Sequence, residues 1–159
     1  MNKTTKNLTV LSKQKLLLET NSSIKLKPVT KNDALFLYEL LKNKDPIANI
    51  SHKKMPSYDE HVNFILSNPY LIWYIIKYEG KKIGSVYLSK HDEIGIYLVD
   101  NSLYGKIGKS IIKLLIKNNP RKRYLAKVSP RNKKLQNFFV NNGFTGLEYT
   151  YEIFIENES

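Results

Sequence analysis

Apolar residues along this chain recur with two different periods, and each change of period marks an element. Residues 24–29 predict a short strand. Thr30-Lys31-Asn32-Asp33 resembles a capping box and opens a helix whose apolar positions Ala34, Leu37, Leu40 and Leu41 fall at helical spacing. Asp45-Pro46 breaks that helix. Ser57-Tyr58-Asp59-Glu60 is a second capping box, opening a helix with Val62, Ile65 and Leu66 inward, which Asn68-Pro69 stops. A hairpin follows: residues 70–78 are aromatic and β-branched, Glu79-Gly80-Lys81 turns the chain, and 82–89 returns. Residues 94–99 predict a further strand. A helix over 105–117 presents Ile111, Ile112, Leu115 and Ile116 on one face and ends at Asn118-Asn119-Pro120. A strand over 124–128, a helix over 133–142 closed by Gly143, and a last strand over 148–155 complete the pattern.

The predicted order is β-α-α-β-β-β-α-β-α-β. A strand–helix–strand unit, 94–128, follows an antiparallel meander. The expected fold class is therefore α/β (α+β): a mixed, mostly antiparallel central sheet with helices on both faces. Residues 1–22 are polar and lysine-rich and predict an N-terminal extension, partly disordered. Residues 23–159 make one domain, large enough to bury about 70% of its unfolded surface.

Composition narrows the chemistry. There is no cysteine, which removes disulfides, thiolate metal sites and a cysteine acyl-enzyme. The chain has no run of 18 apolar residues, and residues 1–12 lack the apolar core of a signal peptide. A cytoplasmic protein with no membrane partner is expected. His52, His61 and His91 are scattered without ligand spacing, so no metal is expected and each reads as a surface or packing residue. The net charge is +12, but 23 of the 26 basic residues are lysines spread along the whole chain. Such a field draws in small anions as well as nucleic acid, and nucleic acid is the weaker reading. A homodimer is compatible with the sequence.

The most informative stretch runs from Glu93 through Leu98 and Asp100 to Ser110. A buried strand passes into a short loop with Gly105, Gly108, Lys106 and Lys109, then directly into a helix. Glycines permit close backbone approach, and the first helical turn presents N–H groups and a favourable dipole to an anion. Equally, this spacing describes a glycine turn with solvated lysines. Neither a P-loop nor a Gly-x-Gly-x-x-Gly dinucleotide motif is present.

The stretch resembles motif A of the GNAT superfamily of N-acetyltransferases, Arg/Gln-x-x-Gly-x-Gly/Ala between a strand and a helix. The six matching positions are Leu103-Tyr104-Gly105-Lys106-Ile107-Gly108: the final glycine matches, Lys106 stands at the first, and Leu103 replaces Arg/Gln. Downstream, Asn132-Lys133-Lys134-Leu135-Gln136-Asn137-Phe138-Phe139-Val140-Asn141-Asn142-Gly143-Phe144 resembles motif B. Upstream, residues 24–33 resemble the opening strand with Thr-x-x-Asp, and Lys82-Ile83-Gly84-Ser85 the strand before motif A. Four motifs in order cover about residues 23–155. Tyr58-Asp59-Glu60-His61 followed by Phe64 is similar to branches that acetylate amino-sugar nucleotides and ribosomal-protein N-termini.

The resemblance implies acetyl-CoA as cosubstrate and direct attack of an amine on its thioester. The backbone of Ile96, Tyr97 and Leu98 would hold the pantetheine, with the Leu98 N–H as oxyanion donor. The stretch Leu103, Tyr104, Gly105, Lys106, Ile107, Gly108, Lys109 and Ser110 would hold the pyrophosphate. Asn132 would bond the pantetheine arm, or cap its helix, or both. Glu93 is the first candidate for the proton acceptor and His91 the second, although 90–93 also reads as a polar hairpin turn. The family's tyrosine acid falls on Phe139, beside the cofactor. With a thiol pKa near 8.5, that loss matters by only about 2 kcal/mol.

The expected acceptor is a small amine or a nucleotide-linked amino sugar. A protein N-terminal or lysine acetyltransferase is the alternative enzyme. A basic RNA- or ribosome-binding module is the alternative of another class, with Trp73, Tyr74, Tyr78 and Tyr87 as its aromatics. For those four residues, core packing or a substrate groove is the simpler expectation.

Overall fold

The computed structural model describes residues 23–45 and 54–151. The expected extension at 1–22 and the end of the expected last strand, 152–155, lie outside the described residues. Four strands form one antiparallel sheet in the order β1-β2-β3-β4: β1 (Ile24–Pro28), β2 (Ile72–Tyr78), β3 (Lys81–Leu88) and β4 (Ile94–Leu98). The helices are α1 (Ala34–Lys42), α2 (Tyr58–Leu66), α3 (Lys109–Asn118) and α4 (Lys133–Asn141).

Side chains alternate across a sheet, so the register divides the strands' residues between two cores. Leu26, Tyr74, Ile76, Val86, Leu88, Ile94, Ile96 and Leu98 share one face. They pack with Ile107, Ile111, Ile112 and Leu115 leading into and along α3, and with Phe138 and Phe139 of α4. Ile75 and Trp73 face the other way, against Ala34 and Leu37 of α1 and Ile65 of α2. Helices thus cover both faces, as expected.

Both predicted capping boxes form. The Thr30 N–H and hydroxyl each donate to Asp33 Oδ2 at 2.9 Å. The Lys82 ammonium reaches Asp33 Oδ1 at 2.7 Å and ties the start of α1 to β3. At α2, the Ser57 N–H donates to Glu60 Oε2 at 2.7 Å, and the Glu60 N–H to Ser57 Oγ at 3.2 Å. Starting α2 at Tyr58 puts His61 and Ile65, four residues apart, on the inner face. Leu66, expected inward, is therefore 52% exposed, while His61 is only 5% exposed.

Two expected strands are corrected. Residues 124–128 make a single parallel bridge, Glu93 with Leu125, and then part from β4. The Ile94 N–H donates to the Leu125 carbonyl at 2.7 Å, and the Leu125 N–H to the Asp92 carbonyl at 2.9 Å. Residues 148–151 form no strand. Their alternation meets no neighbouring edge, and both Tyr149 and Tyr151 are about nine-tenths exposed.

Candidate active site

The site is organised by the free edge of β4. Within an antiparallel pair, alternate residues turn their N–H and C=O groups toward the partner strand. The bonds from the Ser89 N–H to the Glu93 carbonyl and from the Val99 N–H to the Ile83 carbonyl bracket the ladder, both at 2.9 Å. Glu93, Gly95, Tyr97 and Val99 therefore turn their backbone toward β3. Ile94, Ile96 and Leu98 turn theirs outward, where Ile94 meets Leu125. Beyond that bridge the 124–128 segment diverges, leaving the Ile96 and Leu98 N–H groups turned toward a gap, which the Tyr104 phenol enters to accept from the Leu98 N–H. The Ile96 carbonyl in that gap accepts a hydrogen bond from the Tyr104 phenol at 2.9 Å. Burial pushes the Tyr104 phenol above its ordinary pKa, so it is a neutral donor.

The expected anion loop is more tightly wound than its glycines suggested. Helical backbone begins at Ser102, whose N–H donates to Asp100 Oδ1 at 2.8 Å. The Leu103 and Tyr104 amides bond back to the Asp100 and Asn101 carbonyls at 3.1 and 3.3 Å. A π-helical turn, Tyr104–Gly108, leads into α3. Neither Gly105 nor Gly108 is among the positive-φ residues, so nothing there holds the loop open. With the amides of 102–104 already engaged, the charge available to an anion comes chiefly from exposed Lys106 and Lys109. Lys106 Nζ also sits 5.5 Å from the Tyr78 ring centre. Gly108 is buried, and a Cβ there would come within 2.5 Å of the Phe138 ring. It lies at the contact between the α3 start and α4. Gly105 has open space where its Cβ would be. Ser110 is half-buried in the first turn of α3.

Asn132 caps α4: its Oδ1 accepts the Leu135 N–H at 3.1 Å, leaving its amide nitrogen for another partner. Phe139 is 5% exposed and packs edge-on between Phe138 and Phe144, inside the core. Glu93 forms an ion pair with Lys127 at 2.6 Å, its carboxylate 22% exposed. The pair holds the Lys127 ammonium above its usual pKa. Glu93 and Leu98 stand at opposite ends of β4, about 16 Å apart along the strand. His91 is exposed in the turn before β4.

A cavity of about 320 Å³ lies on the opposite face of the sheet, under α1 and α2. Its floor is Trp73, Ser85, Tyr87 and Tyr97, all side chains of that face. Gly95 shapes it: a Cβ there would collide with the Tyr87 ring, which instead lies over the strand and stacks on Tyr70 with ring centres 3.8 Å apart. Tyr70, Tyr87 and Tyr97 share side-chain hydrogen bonds. Burial pushes the Tyr70 phenol up to about 12, and raises Tyr87 further with the help of its tyrosine neighbours. Lys44 Nζ lies 3.1 Å from the Tyr97 hydroxyl and 4.2 Å from its ring centre. Two buried polar atoms in the cavity wall, His61 Nε2 and Trp73 Nε1, have no hydrogen-bond partner among the described residues. Burial lowers the pKa of His61, so its imidazole is neutral near pH 7.

His61 and Lys44 are the residues that sequence reasoning missed. The signal for His61 was its place after a capping box, four residues before the inward Ile65. Of the four aromatics considered for a groove, Trp73 and Tyr87 line the cavity, whereas Tyr74 and Tyr78 pack toward α3. Among the described residues no three His, Cys, Asp or Glu side chains gather as a metal site, and no helix is long and apolar enough to cross a membrane.

No family model and no curated protein matches the sequence. Solved structures do match in fold. A domain from Methanocaldococcus jannaschii is 24% identical with a TM-score of 0.68, covering 81% of this chain and 92% of that one. AAC(6')-Ib in complex with paromomycin and acetyl-CoA is 21% identical with a TM-score of 0.60, covering 77% and 83%. RimL, a ribosomal alpha-N-protein acetyltransferase in complex with coenzyme A, is 18% identical with a TM-score of 0.61, covering 77% and 80%.

Proposed function

Starting from the GNAT fold that this chain shares with those acetyltransferases, we propose that it moves an acetyl group from acetyl-CoA to a primary amine, the acceptor being a small amine or amino sugar. The observation that carries this is the gap beside β4, where the Ile96 and Leu98 amides face outward after the Glu93–Leu125 bridge. An extended pantetheine arm is the kind of ligand that takes up strand-like backbone bonds at such an edge. The wound helix start offers the pyrophosphate fewer amides than an open loop would, and Lys106 and Lys109 supply charge in their place.

In the reaction the neutral amine nitrogen attacks the thioester carbonyl, and the Leu98 N–H, once the Tyr104 phenol that accepts from it is displaced, stabilises the oxyanion. The C–N bond forms, the C–S bond breaks, the amine proton leaves to a base or water, and the thiolate takes up a proton. The cavity lies on the face that carries the Tyr97 side chain, next to Leu98. Its volume of about 320 Å³ is at the small end of ligand pockets and favours a small acceptor over a folded protein surface.

The test is thiol release from acetyl-CoA with a panel of amines, together with thermal unfolding. Release that requires an amine is expected. Acetyl-CoA at a hundred times its dissociation constant should stabilise the fold by about 2.7 kcal/mol. No shift in melting temperature at millimolar acetyl-CoA would defeat the proposal.

A further inference from the structure

We infer that the acceptor cavity selects an amine that also carries an anionic group, and rejects polycations. This rests on the acetyltransferase proposal for its meaning, but the recognition follows from the cavity itself. Two polar groups at the cavity, the Trp73 indole N–H and the Lys44 ammonium, can only donate. Trp73 Nε1 is buried and has no partner among the described residues. His61 is 5% exposed, neutral, and its Nε2 is likewise unpartnered. An unpaired buried polar atom is costly, so two in one wall mark the place of a ligand's polar atoms. Lys44 adds a full positive charge at the same cavity, held over the Tyr97 ring.

Against these donors stands one carboxylate. Glu60 is the sole acidic residue lining the cavity among the described residues. Its carboxylate is committed to the Ser57 amide and hydroxyl, which hold it below the usual carboxylate range. A polyamine or aminoglycoside needs several carboxylates to replace the water around its ammonium groups. This cavity offers an ammonium, and the chain around it carries a net charge of +12. A carboxylate or phosphate on the acceptor would instead meet Lys44 and the Trp73 N–H, with the acceptor's body against Phe64, Tyr70 and Tyr87.

The single tryptophan of the chain is Trp73, so its fluorescence reports the cavity directly, independently of turnover. The probes are phenylalanine against its amide, glucosamine phosphate against glucosamine, and spermidine. Each is titrated into the full chain with and without coenzyme A. The carboxylate or the phosphate member should shift the emission at least about tenfold more tightly than its uncharged counterpart, and spermidine should not shift it. The pair that responds tells a carboxylate from a phosphate acceptor. Lys44→Gln should bring the charged member down to its counterpart's affinity, and Lys44→Arg should restore it, with melting temperatures checking the fold of both. Tight binding of spermidine, no response to either anion, or indifference to Lys44→Gln would overturn the inference. Acetyl-CoA binding, measured by calorimetry on the same protein, separates these outcomes from failure of the acetyltransferase proposal.

Discussion

The Tyr104 phenol closes on the Ile96 carbonyl at 2.9 Å, at the point where β4 loses its outer neighbour. The bond stands in for the strand hydrogen bond that the diverging 124–128 segment does not make. A pantetheine amide that bonds Ile96 must displace it. Tyr104→Phe should therefore lower stability by about 1 kcal/mol, the worth of one hydrogen bond, and tighten acetyl-CoA binding by up to about fivefold. Denaturant unfolding and calorimetry measure the two effects. Weaker acetyl-CoA binding in the variant would mean that the phenol itself holds the cofactor.

The two loop glycines should separate under mutation. At Gly108 a Cβ meets the buried Phe138 ring at 2.5 Å, so Gly108→Ala should cost about 1–3 kcal/mol through overpacking. At Gly105 the space is open, and Gly105→Ala should be close to neutral or stabilising in this helical turn. If Gly105→Ala nevertheless weakens acetyl-CoA binding while stability holds, Gly105 is where the cofactor approaches the backbone. Thermal melts with and without acetyl-CoA decide it.

The layered fold was legible because its causes are local. Two capping boxes, the Glu79–Gly80 turn and the face of Ile111, Ile112 and Leu115 are each readable within a few residues. What failed depended on distant partners. A strand at 124–128 needs an open β4 edge, and its pairing stops at one bridge, with Tyr104 on the next free carbonyl. The helix start at Ser102 depends on Asp100, whose carboxylate accepts the Ser102 amide, and not on the glycines that drew attention. The cavity under α1 and α2 was only half legible. Trp73 and Tyr87 were visible as aromatics, but the vacancy at Gly95 that lays Tyr87 over the sheet exists only in the folded register.

Acid should weaken the fold through His61. Its folded pKa is depressed by burial, while in the unfolded chain it returns to about 6.5. Between the two values the unfolded chain binds more protons, so stability is full above about pH 6.5 and declines as pH falls from there through the folded value. His61→Gln should remove that part of the slope, seen as a flatter plot of unfolding midpoint against pH below about 6.5. An unchanged slope would show that His61 takes up its proton as readily in the fold as outside it.

In the proposed reaction the attacking amine must lose a proton. Glu93 is at the right end of the sheet to face solvent, but it is tied to Lys127 at 2.6 Å and lies about 16 Å along β4 from the Leu98 amide. A direct transfer from an amine bound beside Leu98 cannot span that distance, so Glu93 can act only through a chain of water. His61, neutral and unpartnered, lines the cavity that also exposes Tyr97. If Glu93 terminates a water relay, Glu93→Gln should lower turnover by roughly a hundredfold, leave acetyl-CoA binding unchanged, and regain part of the loss at high pH, where the amine sheds its own proton. Lys127→Met should then lift the rate, because it frees the Glu93 carboxylate from the ion pair that occupies it. If His61 takes the proton instead, Glu93→Gln and Lys127→Met should change stability alone, and His61→Gln should carry the loss of turnover. Rates of thiol release for the three variants across pH, at saturating acetyl-CoA, distinguish the two routes. A full rate in both Glu93→Gln and His61→Gln would leave bulk water as the acceptor and limit the enzyme to amines already neutral in solution.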